Sequence, residues 1–348
     1  MKPYSTKVKG EEYAGGKVCK NTRPTLALID GNNWCIRAYF TSQKPDEGDI
    51  DLRTQAFVMI SKFLSTYEVD ALVFTFDGGR EWRTKLIETG DWRTKSGKKG
   101  YKGTRTFHDD REYAVIKASI KQFAHDLPIR LGIPVLMLDT VEADDVIFTA
   151  TKMLRGVNKL VVSTDEDLVL ACLNPNTYWY SPLKGIVVSK HTYPDYNYGM
   201  PLKAYSTLKA IVGDTSDNIE GVAGIGEQTL FTWAKKSGVY PWKFFDWVDR
   251  FGTINQKKKY LIDPGFRKNF QLALKAIDLR LYEGQNYSEL GLLSDLLAIK
   301  PLDRVEVKKF CKEINLDVKI LSQMHRLISS IESNQRGLQR MGRIWKNL

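Results

Sequence analysis

Cysteine and histidine are scarce in this chain: four of each occur in 348 residues. Cys19, Cys35, Cys172 and Cys311 form no Cys-x-x-Cys pair, and His108, His125, His191 and His325 show no metal spacing among themselves. Neither a zinc site nor a disulfide framework is expected, and the thiols read as those of a reducing compartment. Long apolar runs are also missing, since none approaches the roughly 20 residues that a membrane-spanning helix needs. The first residues carry Lys2, Lys7, Lys9, Glu11 and Glu12 rather than the apolar stretch of a signal peptide. The expectation is a soluble, cytoplasmic monomer with no membrane partner. No internal repeat is present, which excludes a solenoid.

What is present is an unusual placement of acids. Four apolar, β-branched runs each stop at carboxylates: Asp30 after Thr25-Leu-Ala-Leu-Ile, Asp77 after Ala71-Leu-Val-Phe-Thr-Phe, Glu142/Asp144/Asp145 after Pro134-Val-Leu-Met-Leu, and Asp165/Asp167 after Leu160-Val-Val-Ser-Thr. Such runs read as strands buried on both faces, so the acids fall at the carboxyl ends of one sheet, where open α/β folds bind ligands. Carboxylates crowded on one rim need cations to stay ionised, and their hard oxygens suit Mg²⁺ or Mn²⁺. The chain as a whole is basic, with a formal charge of +11 and a pI near 9.2. That balance points to a polyanionic partner gripped by cations around the acidic rim.

From residue 25 to about 190, strand-like runs alternate with helix-like segments at Leu52–Tyr67, Arg111–Leu131 and Ala143–Leu154, which implies a mostly parallel central sheet flanked by helices. Tyr178-Trp-Tyr and Gly185-Ile-Val-Val suggest a hairpin or edge strands. After Met200-Pro201 the pattern turns helical, with candidates at Leu202–Val212, Glu227–Lys236, Trp242–Asp249 and Phe266–Leu281. The expected division is a basic mobile tail (1–23), an α/β core (24–200), a helical subdomain (201–285) and a helical extension with a basic end (286–348). Residues 78–110 interrupt the alternation with Arg80, Arg83, Lys85, Arg93, Lys95, Lys98, Lys99, Lys102 and Arg105 among Trp82, Trp92 and Tyr101. Cations among aromatics suit single-stranded nucleic acid. A solvated loop whose tryptophans pack on the core is the competing reading.

At the start of a helix, Glu142 and Asp145 share a face and Asp144 points obliquely to the same rim. Ordinary capping acids would explain one such segment. Ser163-Thr-Asp-Glu-Asp repeats the arrangement after the next strand, and with Asp30 and Asp77 the set exceeds what four capping accidents explain. Downstream, Gly213-Asp-Thr-Ser-Asp-Asn carries Asp214 and Asp217, followed by Gly221, Gly224 and Gly226 in a turn between helices. Backbone groups in such a turn can meet a phosphate or hold a monovalent cation. The order Gly-x-x-Gly-x-Gly after a helix is not a dinucleotide fingerprint.

Through Ile29-Asp-Gly31, Phe76-Asp-Gly78, Tyr101-Lys-Gly-Thr-Arg105, Glu142-Ala-Asp-Asp145, Ser163-Thr-Asp-Glu-Asp167 and Gly213-Asp-Thr-Ser-Asp-Asn218 leading to Gly226, the chain resembles the flap endonuclease family of structure-specific 5′-nucleases. The likeness is strongest to the bacteriophage enzymes and the 5′-nuclease domain of bacterial DNA polymerase I, and spans about Leu26 to Leu281. It implies a helical arch at about 78–130, a helix–three-turn–helix subdomain, and two divalent ions. Asp30, Asp77, Glu142 and Asp144 would hold the first ion, Asp165, Asp167 and Asp214 the second, with Asp145 and Asp217 bridging or acting through water. Lys102 and Arg105 match arch residues that contact the scissile phosphate, and Tyr101 a stacking aromatic. Arg80, Arg83, Lys98, Lys99, Lys209, Gly221, Gly224 and Gly226 would contact DNA, with K⁺ at the glycine turn.

The implied activity is cleavage of DNA near a 5′ flap or single-strand/duplex junction, as a flap endonuclease or 5′-3′ exonuclease in replication or repair, by a protein that could be phage-encoded and act in the host cell. The terminal extensions could dock a replication protein or serve only as charged tails. The sequence departs from the family at Glu227-Gln228, where a lysine is usual, and at Glu220, where bacterial relatives often have proline. Lys209, Lys235 or Lys236 could supply the missing duplex contact. Two other classes compete: a catalytically silent DNA-binding protein, which would gain nothing from an anionic patch, and a small ribonuclease of the related acid-cluster fold, which would not need the glycine turn.

Overall fold

The apolar runs that close on acids become strands buried from end to end. The computed structural model describes residues 22–42, 52–88, 110–197, 199–281, 289–297, 301–314 and 321–346. In chain order it contains β1 (Thr25–Asp30), α1 (Gly31–Ser42), α2 (Leu52–Thr66), β2 (Ala71–Thr75), α3 (Glu81–Glu88), α4 (Asp110–Arg130), β3 (Val135–Leu136), α5 (Ala143–Met153) and β4 (Asn158–Val162). A 3₁₀ helix (Glu166–Leu173) leads to β5 (Thr177–Ser181), β6 (Ile186–Ser189) and α6 (Tyr193–Tyr196). Then come α7 (Tyr205–Val212), β7 (Gly213–Asp214), β8 (Ile219–Glu220), α8 (Glu227–Ser237), α9 (Phe244–Phe251), α10 (Ile254–Lys257) and α11 (Pro264–Ile277). The chain closes with α12 (Glu289–Leu297), α13 (Arg304–Glu313) and α14 (Leu321–Lys346). Residues 1–21 of the expected tail and 89–109 of the expected arch lie outside the described residues. Among the described residues, no helix is long and apolar enough to cross a membrane.

The described residues fall into two units, one of 22–79, 110–189 and the segments from 289 onward, the other of 80–88 and 190–281. The first unit holds a six-stranded sheet in the order β3-β2-β1-β4-β5-β6, parallel except for the antiparallel β5–β6 edge. Its central strands are buried at every residue, as expected where both faces are covered. Ala27, Ile29, Leu72, Phe74, Leu160 and Val162 face one core together with Trp34, Phe57, Phe63 and Phe123 from α1, α2 and α4. Packing of α5 on β1 and β2, and of the 3₁₀ helix on β5 and β6, covers the other face.

The described segments from 289 onward belong to this unit. The reason lies at the outer edge of β2. Phe74 N–H donates to Pro134 and Phe76 N–H to Leu136, but β3 is too short to reach Leu72. Asn334 of α14 instead accepts the Leu72 N–H at 2.6 Å, and Ile331, Leu338 and Met341 of the same helix are fully buried. A buried strand edge left unpaired is costly, so α14 is anchored by a backbone requirement as well as by apolar burial.

The second unit is built on α7 and α11, whose Ala210, Ala273, Ala276 and Ile277 enclose Ile219 of β8. The two-residue ladder Gly213↔Glu220 and Asp214↔Ile219 breaks the helical run where the sequence suggested only a turn. Trp233 of α8 stacks on Trp247 of α9 at 3.9 Å, an aromatic clasp that adds to area burial.

Two buried groups constrain the sheet unit. The Lys159 side chain lies inside β4, 2% exposed, its Nζ donating to Leu154 and Pro175 carbonyls. Burial, reinforced by the charge of Arg23, lowers its pKa from 10.5 to about 8. The penalty for burying the charge is complete below the folded pKa and is relieved as pH rises toward the unfolded one. Denaturation midpoints of the wild type should therefore gain on those of Lys159→Met between pH 8 and 10.5, and parallel curves would exclude this cause. The second constraint is Gly78, where a Cβ would sit 1.9 Å from the Leu138 carbonyl oxygen. Gly78→Ala should lower stability by about 1–3 kcal/mol in urea melts, whereas Gly226→Ala, in open space, should change it by no more than about 0.5 kcal/mol.

Candidate functional site

The carboxyl ends of β2, β1 and β4 stand side by side, because these strands are neighbours in the sheet. Asp30 is the last residue of β1 and is 6% exposed. Its Oδ1 accepts the Asn33 N–H at 3.0 Å and its Oδ2 the Ser163 hydroxyl at 2.8 Å, which ties β1 to the end of β4. Asn33 strengthens the tie, since its amide oxygen accepts the Thr164 N–H at 3.1 Å and its Nδ2 donates to the Thr164 hydroxyl. On the other side, Asn32 Nδ2 donates to Asp77 Oδ2 at 2.8 Å, and Asn32 Oδ1 accepts the Asp77 N–H at 3.3 Å. The remaining Asp77 oxygen, Oδ1, accepts the N–H of Ala143 in the first turn of α5 at 2.8 Å.

The rim is thus a continuous seam from Glu142-Ala-Asp-Asp145 through Asp77, Asn32, Asp30 and Asn33 to Ser163-Thr-Asp165. Gly78 and Gly79 complete it by donating their N–H groups to the Val141 carbonyl. Within it Glu142 and Asp145 are buried, at 4% and 1% exposure, while Asp144, Asp165 and Asp167 are half-buried. Asn32, Asn33, Ser163 and Thr164 were not singled out from the sequence. Their only signal was position, paired amides and hydroxyls flanking acids at strand ends.

Capping explains these acids only in part. Glu142 stands at the N-cap of α5 without a side-chain capping bond. Asp165 does cap the following 3₁₀ helix, accepting the Asp167 N–H at 2.9 Å. Among the described residues no three acids, histidines or cysteines close on a shared point in the manner of a metal cage. The donor set nevertheless fits a hard divalent ion, because it is all oxygen and three of its carboxylates are nearly buried. Anions this poorly solvated require compensating positive charge. The field of Asp30 is felt nearby, where burial, and after it the Asp30 charge, pushes the Cys35 thiol well above its ordinary value. Among the described residues Cys35, Cys172 and Cys311 are buried and free.

In the other unit Asp214 is 6% exposed at the end of β7. Its Oδ1 accepts from the Ser216 N–H and hydroxyl at 2.9 and 2.6 Å and from the Asp217 N–H at 3.3 Å, while Oδ2 pairs with Lys209. Burial works to raise this carboxyl, but the Lys209 charge and the hydrogen bonds from Lys209 and Ser216 together hold it below its ordinary value. Lys209, expected to face duplex phosphate, is engaged with Asp214 here. Asp217 is half-buried beside it.

Packing gives two of the expected DNA contacts a structural role. Arg83 is 2% exposed, with its Nε donating to the Ala276 carbonyl and its guanidinium 4.6 Å from the Trp82 ring, so it braces α3 on α11 instead of meeting phosphate. Gly221 is required by its own turn, since a Cβ there would lie 2.2 Å from the Val212 carbonyl oxygen. Gly224 and Gly226 do border open space, and Arg80 is exposed. Lys98, Lys99, Tyr101, Lys102 and Arg105 lie outside the described residues.

Comparison with known proteins agrees with this architecture. DNA polymerase I of Streptococcus pneumoniae serotype 4 is 27% identical over 336 residues, covering 88% of this chain but only 36% of the polymerase. The chain therefore spans about a third of that relative's length. A 5′-3′ exonuclease of Mycoplasmopsis pulmonis is 29% identical over 254 residues, covering 72% of this chain and 78% of its own length. Among solved structures, the bacteriophage T5 D15 protein co-crystallised with metal ions matches with a TM-score of 0.51 at 18% identity, covering 83% of this chain and 98% of its own. At that identity the likeness establishes the fold. The family model for the 5′-3′ exonuclease N-terminal, resolvase-like domain matches residues 25–195, which span the whole acidic rim, and through these residues the chain is similar to that family.

Proposed function

We propose that this chain is a divalent-metal-dependent, structure-specific 5′-nuclease that hydrolyses DNA phosphodiesters near single-strand/duplex junctions, leaving 5′-phosphate and 3′-hydroxyl ends. The observation that carries the reading is the hydrogen-bonded seam that joins acids from four separated motifs along one sheet rim. A protein that only bound DNA would gain nothing from buried carboxylates facing phosphates.

Within this proposal Asp30, Asp77, Glu142 and Asp144 would hold one ion and Asp165 and Asp167 a second, with Asp145 bridging or acting through water. Asp214 and Asp217 belong to the other unit and enter the proposal through their motif. Mg²⁺ or Mn²⁺ suits these oxygens, and when bound such ions supply Lewis acidity toward phosphoryl oxygen and a water of lowered pKa. The protein's own part is to hold the carboxylates in place: the Asn33 N–H and the Ser163 hydroxyl fix the Asp30 carboxylate, the Asn33 amide ties Thr164 to the same rim, and Asn32 and the Ala143 N–H fix the Asp77 carboxylate. Lys102 and Arg105 supply charge to the non-bridging oxygens, Tyr101 stacks on a base, and Arg80, Lys98 and Lys99 follow the strand. Backbone groups around Gly224 and Gly226 would take a duplex phosphate or hold K⁺. A replication partner at the C-terminal extension has less support, because α14 is committed to the edge of β2.

Labelled 5′-flap DNA incubated with Mg²⁺ tests the proposal directly. Asp30→Asn should abolish cleavage while leaving DNA affinity within about twofold, and an Asp30→Asn protein that cuts at the wild-type rate would refute the assignment. Asn33→Ala removes only a support of the rim and should cost on the order of 10–100-fold in rate or metal affinity.

A further inference from the structure

The Asp214 carboxylate has little accepting capacity to spare. An ionised carboxylate offers about four lone-pair positions. Three hydrogen bonds already fall on Oδ1, from Ser216 N–H, Ser216 Oγ and Asp217 N–H, and the Lys209 ammonium occupies Oδ2. The Oδ1 bonds come from the turn that follows Asp214 and shape it locally. The Oδ2 bond differs in kind, because it delivers a full positive charge from the last turn of α7. Lys209 is itself steadied, with its Nζ 5.9 Å from the Tyr205 ring one turn earlier on the same helix. A carboxylate exposed by only 6% would otherwise be an uncompensated buried anion.

We propose that Lys209 is a placeholder cation, a positioning residue that neutralises Asp214 and keeps it folded into the turn until a divalent ion displaces the ammonium from Oδ2. The inference rests on the reading of Asp214 as a metal ligand. Exchange of one cation for another leaves the Oδ1 bonds, and therefore the turn, undisturbed. It also makes Lys209 a determinant of metal affinity at this acid, because every ion that binds must first break a charge-assisted hydrogen bond. The position is not open to any cation-free side chain without cost, since removing the ammonium strips the buried carboxylate of its partner when no metal is present.

The test is Mn²⁺ binding to the full chain without DNA, followed by electron paramagnetic resonance of the free ion, with thermal melts in EDTA and in Mn²⁺. Lys209→Met should bind one Mn²⁺ roughly tenfold more tightly than wild type, the difference made by one charge-assisted bond. It should also melt lower in EDTA and recover more of its midpoint on adding Mn²⁺. Lys209→Arg, which keeps the charge, should stay near wild type in both. Asp214→Asn should remove one Mn²⁺ site, and the double variant should match Asp214→Asn. If Asp214→Asn removes a site while Lys209→Met binds no tighter than wild type, the placeholder role is overturned. If Asp214→Asn leaves Mn²⁺ stoichiometry and affinity unchanged, Asp214 is not a ligand, and the functional reading of that acid falls with the inference built on it.

Discussion

The constraint on which this structure turns is the burial of negative charge at the end of a parallel sheet. Parallel strands in a right-handed α/β fold bring all their carboxyl ends to one rim. When those ends are acids the rim becomes an anionic strip in a region of low dielectric. Coulomb repulsion would open such a strip unless each carboxylate were held by donors and the set were balanced by cations. Here Asn32, Asn33, Ser163 and the Ala143 N–H do the holding. The same bonds fasten β2 to α5 and β1 to β4, so the chemistry of the rim and the closure of the fold are one set of interactions.

The two units solve the same electrostatic problem differently. In the sheet unit the acids are held by neutral donors, which orient the carboxylates but do not cancel their charge. In the helical unit Asp214 carries its own cation in Lys209. Neutral donors leave a net negative field that attracts a multivalent ion from solution, whereas an internal ammonium lowers that attraction and shields the acid.

Much of this was legible in the sequence, for identifiable reasons. β1 and β4 could be read because strands buried on both faces leave an uninterrupted apolar signature. The acids could be read because they follow those strands directly. The short length of β3 could not: Pro134-Val-Leu-Met-Leu looks like a full strand, yet the Leu138 carbonyl is pressed against Gly78, where it shapes the turn that brings Asp77 to α5. Nor could the role of α14, whose basic end suggested a solvated tail. Its decisive residue is Asn334, and nothing in a local window marks an amide that will bond to Leu72, 262 positions away. Arg83 shows the converse limit, since a cation among cations reads as surface until a carbonyl such as that of Ala276 is found to enclose it.

The chain's formal charge of +11 acquires a sharper meaning once the rim is located. Seven carboxylates, Asp30, Asp77, Glu142, Asp144, Asp145, Asp165 and Asp167, are drawn into one part of the sheet unit, so the remaining residues must be more basic than the whole. A uniformly basic surface would bind DNA along its length but could not discriminate among phosphates. An acidic rim repels phosphate everywhere except where bound divalent ions reverse its sign. Under the proposed function, affinity and selection are carried by different residues: the dispersed cations would set how strongly a polyanion is held, in a salt-dependent way, and the rim would decide which phosphodiester can approach. Changing the surface lysines would alter the first without touching the second, whereas changing Asn33 would alter the second, because its side chain has no charge to offer and acts through Thr164, beside the Asp30 carboxylate.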